Sequence, residues 1–103
     1  MLNSEQQKVA DTIKNLICKT NNSEIYDGGC RPFWTPTEWK ERKESYGLES
    51  VLIIAHDGGD FAPFFNYSYE QYKKIDAMTL ALKQIGYYAE NCTCWYSAVY
   101  KIL

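Results

Sequence analysis

The fold turns on Val51-Leu52-Ile53-Ile54-Ala55-His56-Asp57-Gly58-Gly59-Asp60. Five apolar residues with no polar alternation read as a strand buried on both faces, so residues 51–55 belong inside a sheet, and helices are expected to supply the cover. The strand then empties into an imidazole, two carboxylates and two glycines. Sheet proteins often carry their sites at strand tips, which makes His56, Asp57 and Asp60 the first chemistry-bearing residues to weigh.

Upstream, Ser4 and Gln7 have capping-box spacing, and Val9, Ile13, Leu16 and Ile17 recur at helical intervals. They predict an amphipathic helix running to about Thr20. Asn21-Asn22-Ser23 breaks it, and a short edge strand is expected around Ile25 and Tyr26 before the Asp27-Gly28-Gly29 turn. Thr35-Pro36-Thr37-Glu38 supplies an N-cap, a proline at the first helical position and a capping-box glutamate, so a second helix starts there. Trp39 and Tyr46, seven residues apart, would share one face of it, and Gly47 would close it.

Downstream, Ser68 and Gln71 repeat the capping-box spacing. Tyr72, Ile75, Met78, Thr79, Leu82 and Ile85 form the clearest helical stripe in the chain, ended by Gly86. Residues 87–92 and 95–102 are rich in aromatic and β-branched side chains and read as two closing strands or one bent hairpin. The order predicts an α+β fold: a small sheet of three to four strands covered by helices in a single layer sandwich. Val9, Ile13, Leu16, Leu52, Ile54, Ile75, Leu82 and Val99 are the expected core.

With 103 residues, 46% of them hydrophobic, the chain suits a single globular domain over residues 1–103. Its net charge of −2 offers no overall positive field for a phosphate backbone, so general duplex binding is disfavoured. The mixed-sign run Lys40-Glu41-Arg42-Lys43-Glu44 reads as a solvated helix face. No run approaches a membrane span and the N-terminus lacks the pattern of a secretory signal, which points to a cytoplasmic protein. Cys18, Cys30, Cys92 and Cys94 then read as reduced thiols.

Three constellations could carry chemistry. Asp57 and Asp60 flank Gly58-Gly59 beside His56, and with Glu90 from a neighbouring strand they would suit Mg²⁺ or Mn²⁺ and a metal-activated water. The same residues are ordinary turn chemistry, in which each aspartate caps nearby backbone amides, and the turn reading is preferred. Cys30, His56, Cys92 and Cys94 have the donor types of a tetrahedral zinc site, but Cys92-Thr93-Cys94 lacks the usual knuckle spacing. Within a strand the two thiols would project from one face as small apolar groups. His56, the sole histidine, has no nucleophile motif beside it and reads as a hydrogen-bonded structural residue.

The third constellation is aromatic. Phe61, Phe64, Phe65 and Tyr67 make residues 61–67 too apolar for an ordinary loop. With Trp95 and Tyr96 they would either wall a binding pocket floored by Gly58 and Gly59 or fold back as a lid on the core. Nine tyrosines in so short a chain suit such a surface.

The strand ending in His56-Asp57-Gly58-Gly59-Asp60, together with residues 92–100 (Cys-Thr-Cys-Trp-Tyr-Ser-Ala-Val-Tyr), resembles the small uncharacterised accessory proteins of phages and prophages. The resemblance covers about half the chain and transfers no residue roles. It implies an anti-defence type of protein, as anti-CRISPR proteins are, that binds and blocks a host machine. The expected function is non-catalytic binding of a host protein or a nucleotide-like ligand, with no cofactor. The alternative is a metal-dependent hydrolase or nuclease built on His56, Asp57, Asp60 and Glu90.

Overall fold

The computed structural model describes residues 2–26, 28–29 and 31–103. The elements run α1 (Ser4–Asn21), β1 (Phe33–Trp34), α2 (Pro36–Glu41), β2 (Leu52–Ala55), α3 (Ala62–Phe65), a 3₁₀ turn (Tyr67–Tyr69), α4 (Tyr72–Gln84), β3 (Tyr87–Asn91) and β4 (Tyr96–Lys101). The four strands form one antiparallel sheet in the order β1-β2-β4-β3, which makes the fold α+β. All four residues of β2 are buried, as its unbroken apolar run requires.

Strand alternation sends the sheet's side chains to two unlike faces. Leu52, Ile54 and Val99 point to one face, where Val9, Ile13 and Ile17 of α1, Phe64 and Phe65 of α3, and Met78 and Leu82 of α4 cover them. Leu16 joins this core only as a partly buried neighbour. Gln6 Nε2 donates to the Val51 carbonyl at 3.0 Å and Tyr87 Oη donates to Glu5 Oε2 at 2.5 Å, tying α1 to both β2 and β3.

Ile53, Ala55, Tyr96 and Ala98 point the other way, onto Trp39 with Trp34, Leu48 and Trp95 around it. Here the expectation of helical cover is corrected. The cover is a six-residue helix and loop aromatics, which leaves the β3–β4 end of this face open.

Several local expectations shift. The α1 capping box is made by Asn3 and Gln6 rather than Ser4 and Gln7, because Asn3 takes the extended conformation from which a side chain reaches the third helical amide. No strand forms around Ile25 and Tyr26; the edge position beside β2 is held by β1 instead.

Thr35 caps α2 as its sequence requires, with Pro36 at the first turn and the reciprocal Glu38 bond present. The helix ends at Glu41, well before Gly47, and Tyr46 is 59% exposed instead of sharing a buried face with Trp39. Ser68 and Gln71 form no capping box. Asn66 Oδ1 accepts from the Ser68 amide to start the 3₁₀ turn, and Gln71 precedes α4 without a side-chain cap.

Candidate functional site

His56 continues the β2 alternation onto the helix-covered face. It is 0% exposed, its ring stacks on Phe65 at 5.4 Å between centroids, and Nε2 lies 2.8 Å from Ser97 Oγ. Asn91 Nδ2 donates to Ser97 Oγ at 3.2 Å and to the Phe65 carbonyl at 2.9 Å. Burial pushes the imidazole pKa down from 6.5 to about 4, with a partial offset from its own backbone and the Asp57 charge, so the ring is neutral at physiological pH.

A hydroxyl 2.8 Å from an imidazole has the spacing of a nucleophile and its base, a pairing that sequence reasoning did not find. Strand parity was the available signal, since counting outward from Leu52 and Val99 puts His56 and Ser97 on one face. The surroundings close the pair off from solvent. Ser97 is 1% exposed, His56 Nδ1 meets no side chain of another described residue that would orient it, and the adjoining cavity of about 30 Å³ holds about one water.

The glycine turn is occupied by the chain itself. Gly58 and Gly59 take positive φ of 104° and 67°, and a Cβ on Gly28, itself at φ 72°, would lie 3.0 Å from the Gly59 nitrogen. Only a glycine at 28 lets its backbone approach so closely, whereas a Cβ on Gly58 would meet nothing and that position is glycine's for its positive φ alone. Asp60 seals the contact: its amide donates to the Tyr26 carbonyl at 2.6 Å and its Oδ2 accepts from the Tyr26 amide at 2.8 Å. Asp60 therefore does the capping work of a turn residue.

The aromatic segment is the lid rather than the wall. Phe61, Phe64 and Phe65 are buried in the helix-side core and Tyr96 under Trp39, so none of these four is a surface contact. Of the expected binding rings, Tyr67 is exposed and Trp95 is half-buried.

The expected metal sets are not brought together. Asp57 rims the hollow beside Trp95, Asp60 holds Tyr26, and Glu90 lines a separate groove with Cys92, Glu49 and Tyr100. Cys92 and Cys94 lie in the bend between β3 and β4 rather than within a strand, and Cys92 packs on the sheet face opposite His56. Cys30 lies outside the described residues. Among those described, no three His, Cys, Asp or Glu side chains gather as metal ligands, and Cys18, Cys92 and Cys94 are free thiols. Burial, with the Glu90 charge, raises the Cys92 pKa.

The feature that sequence reasoning missed lies on the tryptophan face. Arg31, Trp34, Trp39, Arg42, Ala55, Asp57 and Trp95 line a hollow of about 180 Å³. Trp39 stands between Trp34 and Trp95, with ring centroids 5.4 and 5.5 Å away. The Arg31 guanidinium sits 4.1 Å over the Trp34 ring, and that of Arg42 lies 4.9 Å from Trp34 and 5.1 Å from Trp39. Arg31 Nη2 also reaches both Glu38 oxygens at 2.7 Å, the chief cause holding the Glu38 pKa down from 4.5 to about 2.

Arg31, Trp34, Trp39 and Arg42 fall within one twelve-residue segment, and only the fold adds Trp95 to them. Trp34 arrives on a two-residue strand, Trp39 on a capped helix turn and Trp95 from the β3–β4 bend. No described helix is long and apolar enough to cross a membrane. No family model matches the chain, and none of the curated proteins or solved structures compared with it matches either.

Proposed function

We propose that this protein is a binding protein without chemistry of its own, which grips a protein partner through the tryptophan–arginine hollow. The observation that carries this reading is the convergence of two half-buried indoles, Trp34 and Trp95, braced by the buried Trp39, with two stacked guanidiniums on one depression. Trp and Arg dominate the energetics of protein contacts, and arginines already held on rings lose less freedom when a partner arrives.

Size favours a protein over a nucleotide-like ligand. The hollow's volume of about 180 Å³ is below the ~300–1,000 Å³ of a site that encloses a small molecule, yet it accepts a side-chain knob over Ala55. Arg31 is already paired with Glu38 and Arg42 with Glu44, and Asp57 stands on the rim, so the guanidiniums serve as flat stacking surfaces and the lining favours an apolar or aromatic knob. The phage-type resemblance supports a host protein as that partner and an anti-defence role in the cytoplasm, where the thiols would stay reduced.

The test is affinity capture from the native host with wild type, Arg42→Ala, Trp95→Ala and the distant control Lys8→Gln on the exposed side of α1. The reading expects one stoichiometric protein whose binding weakens about tenfold or more in the first two variants, as loss of ~1–3 kcal/mol anchors does, and is unchanged in the control. Equal capture by all four variants refutes the hollow as the contact. Metal-dependent hydrolysis of a nucleotide or nucleic acid, abolished in folded Asp57→Asn, would instead establish the hydrolase alternative.

A further inference from the structure

β3 is an edge of the sheet, and its backbone polarity follows from two bonds at its ends. Ile102 N donates to the Gly86 carbonyl at 2.8 Å, and Cys92 N to the Tyr96 carbonyl at 3.2 Å. Antiparallel pairs alternate, so Tyr88 and Glu90 turn their peptide groups toward β4, while Tyr87, Ala89 and Asn91 turn theirs outward. On the far side of β4, His56 N donates to the Trp95 carbonyl, which fixes the same alternation independently.

Among the described residues no strand pairs with the outer edge of β3, and no loop amide or carbonyl bonds those three outward peptide groups. Tyr88, Ala89, Glu90 and Asn91 are all exposed. Natural sheets blunt such edges with lysine, proline, a bulge or a very short strand. The opposite edge, β1, is two residues long, whereas β3 pairs one to one over five residues with no proline, lysine or bulge.

We propose that β3 is the surface at which two copies of this chain pair, antiparallel and centred on Ala89, to make one continuous eight-stranded sheet. In that register Ala89 faces Ala89 of the partner subunit. Tyr87 faces Asn91 of the partner subunit, and the outward peptide groups of each of the three resulting pairs exchange two hydrogen bonds.

On the open face Tyr88, already stacked on Tyr100 at 5.5 Å, lies opposite Glu90 of the partner subunit, so a phenol donor meets a carboxylate twice across the axis. A slip that puts Glu90 against Glu90 of the partner subunit sets like charges face to face, and the slip the other way forfeits a hydrogen-bonded pair. The Ala89-centred register is thus selected by small size at the axis and by complementary groups beside it. One strand per copy is a small contact, so the dimer is weak and concentration-dependent.

Sedimentation of the full chain under reducing conditions, from low micromolar to several hundred micromolar, tests this. The mass should rise from 12.0 kDa toward twice that value and stop. Ala89→Pro removes an outward N–H that β4 does not use, so it should leave the circular dichroism spectrum unchanged and weaken association at least tenfold. If proline disturbs the fold, Ala89→Lys decides, since two ammonium groups on the axis should weaken association in a way that added salt relieves. A wild type that stays monomeric throughout, a folded Ala89→Pro that dimerises as wild type does, or association that continues past two copies would overturn the proposal. So would saturable pairing of the β3 edge with an extended basic peptide by a chain that never self-associates.

Discussion

His56 should behave as an acid-sensitive weak point in an otherwise sealed core. Its folded pKa is depressed to about 4 against 6.5 unfolded, so above about pH 7 both states are neutral and the ring contributes no pH dependence. As pH falls below 6.5 the unfolded chain takes up a proton that the folded chain refuses, and stability declines toward the folded pKa. Each whole pH step between the two pKa values costs ~1.4 kcal/mol, so the loss from about pH 7.5 to pH 5 is about 2 kcal/mol.

The other strongly shifted acid does not overlap this window. Glu38, held to about 2 by Arg31, contributes stability that is present above pH 4.5 and disappears only as pH falls from there toward 2. Urea titrations at several pH values, compared with His56→Phe, isolate the effect, and the sole histidine gives a single imidazole signal to follow by NMR. An imidazole that titrates near 6.5, or a wild-type slope no steeper than that of the variant, would refute the burial argument.

Leu82, fully buried where α4 meets the helix-side core, should cost ~2–5 kcal/mol when cut to alanine, read as a shift in urea midpoint. Gly28→Ala should destabilise by more than about 1 kcal/mol, because the site has positive φ and the new methyl would press on the Gly59 amide; an unchanged midpoint would mean that the two loops do not touch. Per-residue alkylation read by mass spectrometry should label exposed Cys94 ahead of Cys92, whose thiol is half-buried and pushed up in pKa.

The parts of the fold that sequence disclosed are those in which a single local rule governs. A short, β-branched apolar run with no alternation favours an interior strand, and Thr35 with Pro36 and Glu38 is a helix-start signature, so β2 and the start of α2 were legible from residue identity. The end of α2 was not, because Glu41 through Ser45 carry no breaker. The chain leaves the helix through Lys43 at φ 63°, a left-handed turn that residue identity does not announce, with the Glu44 amide donating back to the Trp39 carbonyl at 3.4 Å.

The candidate site was legible only in part, for a similar reason. Phenylalanines at 61, 64 and 65 have the same composition whether they wall a pocket or roof a core, and α3, only four residues long, turns them inward. In the hollow, Arg31, Trp34, Trp39 and Arg42 come from one short segment of the chain, and what no spacing rule records is that the β3–β4 bend brings Trp95 against them. Asp57, which sequence places in a turn with a metal ligand as the alternative, stands on the rim of that hollow.

Chemical-shift mapping with the captured partner tests the central claim most directly, because it reports which residues of this chain the partner touches. The account predicts that the indole N–H signals of Trp34 and Trp95 and the side-chain signals of Arg31 and Arg42 move together on titration, while those of the groove lined by Glu49, Glu90 and Tyr100 stay in place. Saturable shifts confined to that groove, with the tryptophan indoles unmoved, would contradict it.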